Sequence, residues 1–472
     1  MTRRDALFWS CLAAAIVASR LCHINILWAD EDYHLAAAIQ TLHGKLPYRD
    51  FWYDKPPLNL AFYLLFGAKT GMALRLADSA FVLLCCALAF LWERYAAAAL
   101  LAFFLIFYLP SGVMPLEPDT LMVLPHLAAV YLAWKRQPFW AGVAAGIAFQ
   151  LNVRGVFVLA FAALFCWPAM PALAAGFLAP NLVVLGWLAA AGALPPYWQQ
   201  VWRWGWLYAA SGTSGGFRAL LGWLGFHAAL LVAAVAYWRR APSRTLAWFA
   251  LALLFILGEL KFAPRYFNLL LPPLAIASGA AFRLRKDSRV LGCVFIALLA
   301  IPAVRFGPRY IELAREDFAG APHTWRDVAM DQESRQAAAV VTAAAQPGDT
   351  VFVWGYRPDV VAYTRLPVAG RIWDSQPATG VPADRHLSSA RPVDEGWARE
   401  NREELARTAP VFLVDGLSRY NPELDIRRYP ELAAWLSRYC EIGRAGATAV
   451  YRLCETGNQT GPPGAEKGRF RP

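Results

Sequence analysis

Residues 28–67 read WADEDYHLAAAIQTLHGKLPYRDFWYDKPPLNLAFYLLFG, with carboxylates at Asp30, Glu31, Asp32, Asp50 and Asp54. The stretch lies between two apolar runs, 6–28 and 72–92. A hydrocarbon core roughly 30 Å thick takes about 20 apolar residues per helix, so both runs read as membrane-spanning helices and 28–67 as the loop joining them. Arg3 and Arg4 precede the first run, which places its start on the cytoplasmic side and the acidic loop on the outer side.

Composition agrees with this reading. Of 472 residues, 58% are hydrophobic and only 17% charged, with mean hydropathy +0.35. Those values exclude a soluble enzyme, a disordered chain and a small disulfide scaffold. The net charge is +11, yet residues 1–305 hold 24 of the 45 Lys+Arg and only 12 of the 34 Asp+Glu. The cations fall in short clusters between apolar runs, the positive-inside pattern, rather than along a polyanion track, so no nucleic-acid partner is expected.

Extended along the chain, the same rule gives spans at 72–92, 96–110 and 119–134. The run 139–167 is interrupted at Gln150, Asn152, Arg154 and Gly155, and reads as two short helices meeting near the outer face. Further spans follow at 171–193, 217–238, 245–260, 266–282 and 290–305. The expected architecture is an all-α polytopic membrane domain of about eleven crossings over 1–305, with its first outer loop at 29–71, followed by a small α/β extracytoplasmic domain over 306–455. Residues 456–472, rich in Gly, Pro and charge, read as disordered. A cleaved signal peptide is the competing reading of the first run.

In the tail, strands are expected at 350–355 and 411–414, helices at 332–345, 394–407 and 430–438, and a hairpin between Cys440 and Cys454. A disulfide between those two cysteines fits an oxidising compartment, whereas the other six lie in apolar runs as small buried hydrophobes.

Eight of the twelve acidic residues of the membrane half fall on the outer side: the five in the first loop, Glu117 and Asp119 in the second loop PSGVMPLEPDTL, and Glu259. Carboxylates beside membrane helices are costly unless they pair, bind metal or move protons. The Ala-rich stretch 33–43 reads as a helix lying along the interface, and the loop's Trp and Tyr residues as an interfacial aromatic belt. His34, His43 and His126 lack the spacing of a zinc site.

Several segments together resemble a known family. DEDYHLAAAIQ (30–40), GKLPYRDFWYDKPPL (44–58), EPD (117–119), AGVAAGIAFQLNVRG (141–155) and KFAPRYFNLLLPPLA (261–275) are similar, in sequence and order, to GT-C membrane glycosyltransferases. Within that family they resemble specifically the bacterial relatives of protein O-mannosyltransferases and the aminoarabinose lipid A transferases. VFVWGYRPDVVAYT (351–364) resembles, more faintly, members with a C-terminal periplasmic domain.

The resemblance implies transfer of a sugar from a polyprenyl-phosphate donor to an acceptor hydroxyl at the periplasmic face of the bacterial inner membrane. It implies Asp30, with Asp119, as catalytic residues, and Asp54, Lys55, Arg154 and Arg265 near the donor phosphate, with Glu31, Glu117 and Lys261 as additional candidates. QLNVRG departs from the family pattern, in which a Thr precedes the basic residue. A divalent cation (Mg or Mn) held by Asp30 and Asp119 is one alternative to acid–base work. For Lys55, snorkelling to lipid headgroups competes with phosphate binding. For Glu259, local neutralisation of Lys261 is the structural reading. At the level of the whole chain, a secondary transporter and a non-catalytic envelope scaffold remain the alternatives.

Overall fold

A computed structural model describes residues 2–108, 114–210, 216–241, 244–259, 262–284, 289–321, 325–382 and 389–454; within the helices, the side chains of 283, 284, 289 and 291 are not described. Lys261 and the stretch 456–472 lie outside the described residues.

Apolar helices make up the N-terminal two thirds. Among the described residues, three are long and apolar enough to cross a membrane: Met72–Ile106, Gly155–Ala190 and Gly292–Ala319. A fourth span results if Gly216–Phe226 and Ala228–Arg240, bent by 75°, are taken together. Several of the other apolar runs expected to cross fold into kinked or shorter helices. Met72–Ile106 is two helices joined at Glu93 (φ −126°) and Arg94 (φ 50°, ψ −142°), where expectation had two spans around Arg94. The run 139–167 breaks into Pro138–Leu151 and Gly155–Cys166 around Asn152 and Arg154.

Close helix approach accounts for several glycines. A Cβ on Gly142 would meet the backbone carbonyl of Leu173, and one on Gly176 that of Phe139, so the helices Pro138–Leu151 and Met170–Ala190 pack backbone to backbone. In a lipid-embedded bundle, where apolar burial gives no preference for protein over lipid, such contact supplies the packing energy.

The helix Arg289–Ala319 runs through position 305, the expected domain boundary, and carries the chain into the tail. There the strands β1 (Val351–Trp354), β2 (Phe412–Asp415), β3 (Tyr439–Ala445) and β4 (Thr448–Leu453) form one sheet in the order β1-β2-β4-β3. β1 and β2 are parallel, β2 and β4 antiparallel, and β3–β4 is the hairpin, which the Cys440–Cys454 disulfide closes. β1 and β2 are buried at all four positions, which is why they read as unbroken apolar runs in place of an alternating pattern.

The first outer loop differs from expectation. Its helix, Glu31–Leu42, is buried from Glu31 to Gln40 and does not lie on an open interface. Tyr33, Tyr48, Phe51, Trp52 and Tyr53 are fully buried, so they form no interfacial belt. The reason is that the tail covers the loop. Trp52 donates its backbone N–H to Arg371 O and accepts the Trp373 indole N–H, both at 2.8 Å. Gln40 bonds Leu366 O at 3.1 Å and the Val368 N–H at 2.9 Å, while Lys45 reaches Val368 O at 2.7 Å.

Candidate active site

The acidic run at the end of the first span divides into two environments. Glu31 is fully buried and pairs with Arg75 at 2.7 Å and 2.9 Å. Its oxygens also accept the backbone N–H groups of Trp28 and Leu116, each at 3.3 Å. Arg75 further donates to Ile26 O, and Arg20 pairs with Asp78 nearby at 2.8 Å, all out of solvent. Glu31 is thus a structural tie between the first loop, the second loop and the helix that starts at Met72.

Asp30 precedes the helix Glu31–Leu42 with φ 71°, a left-handed conformation that a residue with a Cβ adopts at a cost, and makes no side-chain cap bond. Its carboxylate instead turns outward. One oxygen is paired with Arg265 Nη1; the other accepts the Tyr356 hydroxyl at 3.4 Å. Arg265 also lies 3.5 Å from Glu117, whose carboxyl is 2% exposed. Burial, with Asp119 beside it, holds the Glu117 carboxyl well above the usual carboxylate range.

Asp119, in the short helix Pro118–Leu121, accepts from Asn152 Nδ2 at 3.0 Å and faces Arg154 at 3.8 Å. Arg154 sits at the break between Pro138–Leu151 and Gly155–Cys166, where unwound backbone frees Asn152 and Arg154 to point at the same carboxylate. Its guanidinium binds Glu259 at 2.8 Å and stacks 3.4 Å over the Tyr266 ring. Lys261, the partner expected for Glu259, lies outside the described residues; the partner the structure places on Glu259 is Arg154.

Asp54 and Lys55 pair with each other at 2.7 Å, and Gln376 donates to Asp54 at 3.3 Å. Lys55 is close enough to Asp119 to act on it electrostatically. Asp30, Arg265 and Glu117 thus form one ion-paired group and Asp119, Arg154 and Glu259 a second, the two meeting at the Glu117 and Asp119 carboxyls, with Asp54 and Lys55 at the edge. Glu31 is withdrawn from both. Among the described residues no three or more His, Cys, Asp or Glu side chains gather in a way that could hold a metal ion. A divalent cation between Asp30 and Asp119 would take the places that Arg265 and Arg154 hold beside those carboxylates. His34 meets the Tyr53 hydroxyl at 2.6 Å, His43 meets Arg365 O at 2.8 Å, and His126 accepts the Trp248 indole N–H at 3.0 Å. They remain three separate structural contacts.

Sequence reasoning missed Tyr356, Tyr266, Asn152 and Gln376. Tyr356 and Gln376 come from the tail, more than 300 residues from their partners, and no local signal marks them. Asn152 and Tyr266 were within reach, as polar or aromatic neighbours of Arg154 and Arg265 in broken helices.

No family model matches the chain, and no curated protein matches it in sequence. Solved structures do. The crystal structure of ArnT from Cupriavidus metallidurans bound to undecaprenyl phosphate is 15% identical, with a TM-score of 0.58, covering 97% of this chain and 99% of that one. The same protein in the apo state is 14% identical with a TM-score of 0.56, covering 95% and 98%. The likeness runs through both the helical part and the tail, so the chain has the whole-length fold of ArnT.

Proposed function

We propose that this chain transfers a sugar from a polyprenyl-phosphate donor to an acceptor hydroxyl, working at the outer face of a bacterial inner membrane. The observation that carries the reading is the Asp30–Arg265–Glu117 cluster, set beside Asp119 and Arg154 in a fold that, in ArnT, is seen with undecaprenyl phosphate bound.

The transfer needs three things. A proton must leave the acceptor hydroxyl as its oxygen attacks the anomeric carbon, the bond from that carbon to the phosphate oxygen must break, and the departing phosphate must be stabilised. Arg265 is suited to the last task because a guanidinium binds a phosphate through two parallel N–H bonds. In the absence of donor it is held by Asp30. A donor phosphate that draws the guanidinium away leaves Asp30 free to accept the acceptor's proton, with Tyr356 orienting the carboxylate. Lys55 contributes a point charge at the cluster's edge, and Arg154, anchored by Glu259 and Tyr266, keeps a fixed positive charge next to Asp119. None of these steps calls for a metal ion.

The test is release of undecaprenyl phosphate from radiolabelled undecaprenyl-phosphate sugars by the purified chain in nanodiscs, with and without chelator. Turnover that survives chelation is expected. Absence of both turnover and donor binding would overturn the reading, and loss of turnover on chelation would restore the metal to it.

A further inference from the structure

The tail loop that follows Trp373 holds three consecutive polar side chains, each with one buried polar atom that meets no partner among the described residues. Asp374 Oδ1 accepts the Gln376 backbone N–H at 2.7 Å and so caps the short helix Ser375–Thr379. Asp374 Oδ2, the Ser375 hydroxyl and Gln376 Oε1 have no hydrogen-bond partner among the described residues, although none of the three residues is more than 1% exposed. A buried polar atom left unmet costs about 1–3 kcal/mol. Capping a five-residue helix uses one of Asp374's oxygens and asks nothing of the other three atoms.

Their position is specific. Gln376 Nε2 donates to Asp54 at 3.3 Å, and Asp54 holds Lys55 at 2.7 Å. Trp373 stacks on Tyr33 at 5.6 Å; Tyr33 packs against Tyr356 at 5.6 Å; Tyr356 donates to Asp30. The trio is therefore linked to Asp30 through three successive rings, Trp373, Tyr33 and Tyr356, and to Lys55 through one ion pair. Burial, with Asp54 adding to it, pushes the Asp374 carboxyl up to about 7, so near neutrality it can donate as well as accept a hydrogen bond. A carboxyl, a hydroxyl and an amide oxygen side by side match the alternating donors and acceptors of ring hydroxyls.

We propose that Asp374, Ser375 and Gln376 form a subsite for the hydroxyl groups of the donor's sugar ring, adjoining Lys55. The assignment rests on the donor reading above and deepens it: the tail becomes the part that selects the sugar, while the helical part holds the phosphate. The phosphate-side position next to Lys55 favours the donor's sugar over that of an acceptor.

The experiment compares binding of undecaprenyl phosphate with binding of undecaprenyl-phosphate-linked glucose, mannose and xylose to the full chain in nanodiscs. In the wild type at least one sugar-bearing lipid is expected to bind about tenfold more tightly than the bare carrier, the equivalent of one or two hydrogen bonds. Asp374→Asn combined with Ser375→Ala should erase that increment. Its affinity for the bare carrier, which also reports folding, should stay within about twofold. Should the double variant fail to fold, Ser375→Ala alone is expected to reduce the increment about threefold. No increment in the wild type, an increment that survives the substitutions, or an effect confined to acceptor KM would each overturn the subsite while leaving the donor reading intact. Failure of the bare carrier itself to bind would remove the donor reading and the subsite with it.

Discussion

Asp30 and Glu31 are neighbours in sequence and opposites in structure. Glu31 is sealed from solvent, bound twice by Arg75 and fixed by two backbone N–H groups. Asp30 keeps a strained backbone, is partly exposed, and shares its arginine with Glu117. The difference teaches how a membrane protein separates holding from reacting. A carboxylate whose every contact is made by the fold has nothing left for a ligand, whereas one whose partner is also suited to phosphate can exchange that partner.

The comparison can be broken at either side. Removing Arg75 should have the largest effect on stability: Arg75→Ala leaves Glu31 buried and uncompensated, a loss of about 3–5 kcal/mol, read as a collapse in the yield and melting temperature of detergent-purified protein. If Arg75→Ala folds and melts like the wild type, Glu31 is not the tie described here. Arg265→Ala should do the reverse, because Arg265 is 38% exposed and is the residue proposed above to bind the donor phosphate. Melting should change little, while affinity for undecaprenyl phosphate falls by about 1.5–3 kcal/mol, the value of a charge-assisted hydrogen bond. Unchanged carrier binding would return Arg265 to a structural role.

The smallest expected effect concerns pH. Asp374 carries a folded-state pKa of about 7, raised by burial and by Asp54 and lowered in part by the Gln376 N–H. A carboxyl near 4 when unfolded then binds more protons in the folded state across the window from about 4 to about 7, so stability falls as pH rises through it. Melting temperature measured from pH 5 to pH 8 should decline less steeply in Asp374→Asn than in the wild type. Parallel curves would mean that Asp374 is not held protonated.

Much of this was legible in the residues. The acidic loop between apolar runs, the break at Asn152 and Arg154, the buried strands VFVW and FLVD, and the hairpin closed by Cys440 and Cys454 all follow from local pattern. What was not legible depends on distance along the chain. Glu31 is distinguished from Asp30 by Arg75, which lies 44 positions away. The aromatics of the first loop read as a membrane belt because the tail that covers them, through Trp373 on Trp52, is 321 positions away.

The most direct test of the central claim, that Asp30 is the reacting carboxylate and Glu31 a tie, is the single-turnover rate of sugar transfer by Asp30→Asn. The account predicts a fall of about 10²- to 10⁴-fold, the usual contribution of a general base, with melting temperature and undecaprenyl phosphate affinity close to wild type. Wild-type turnover in that variant would contradict it.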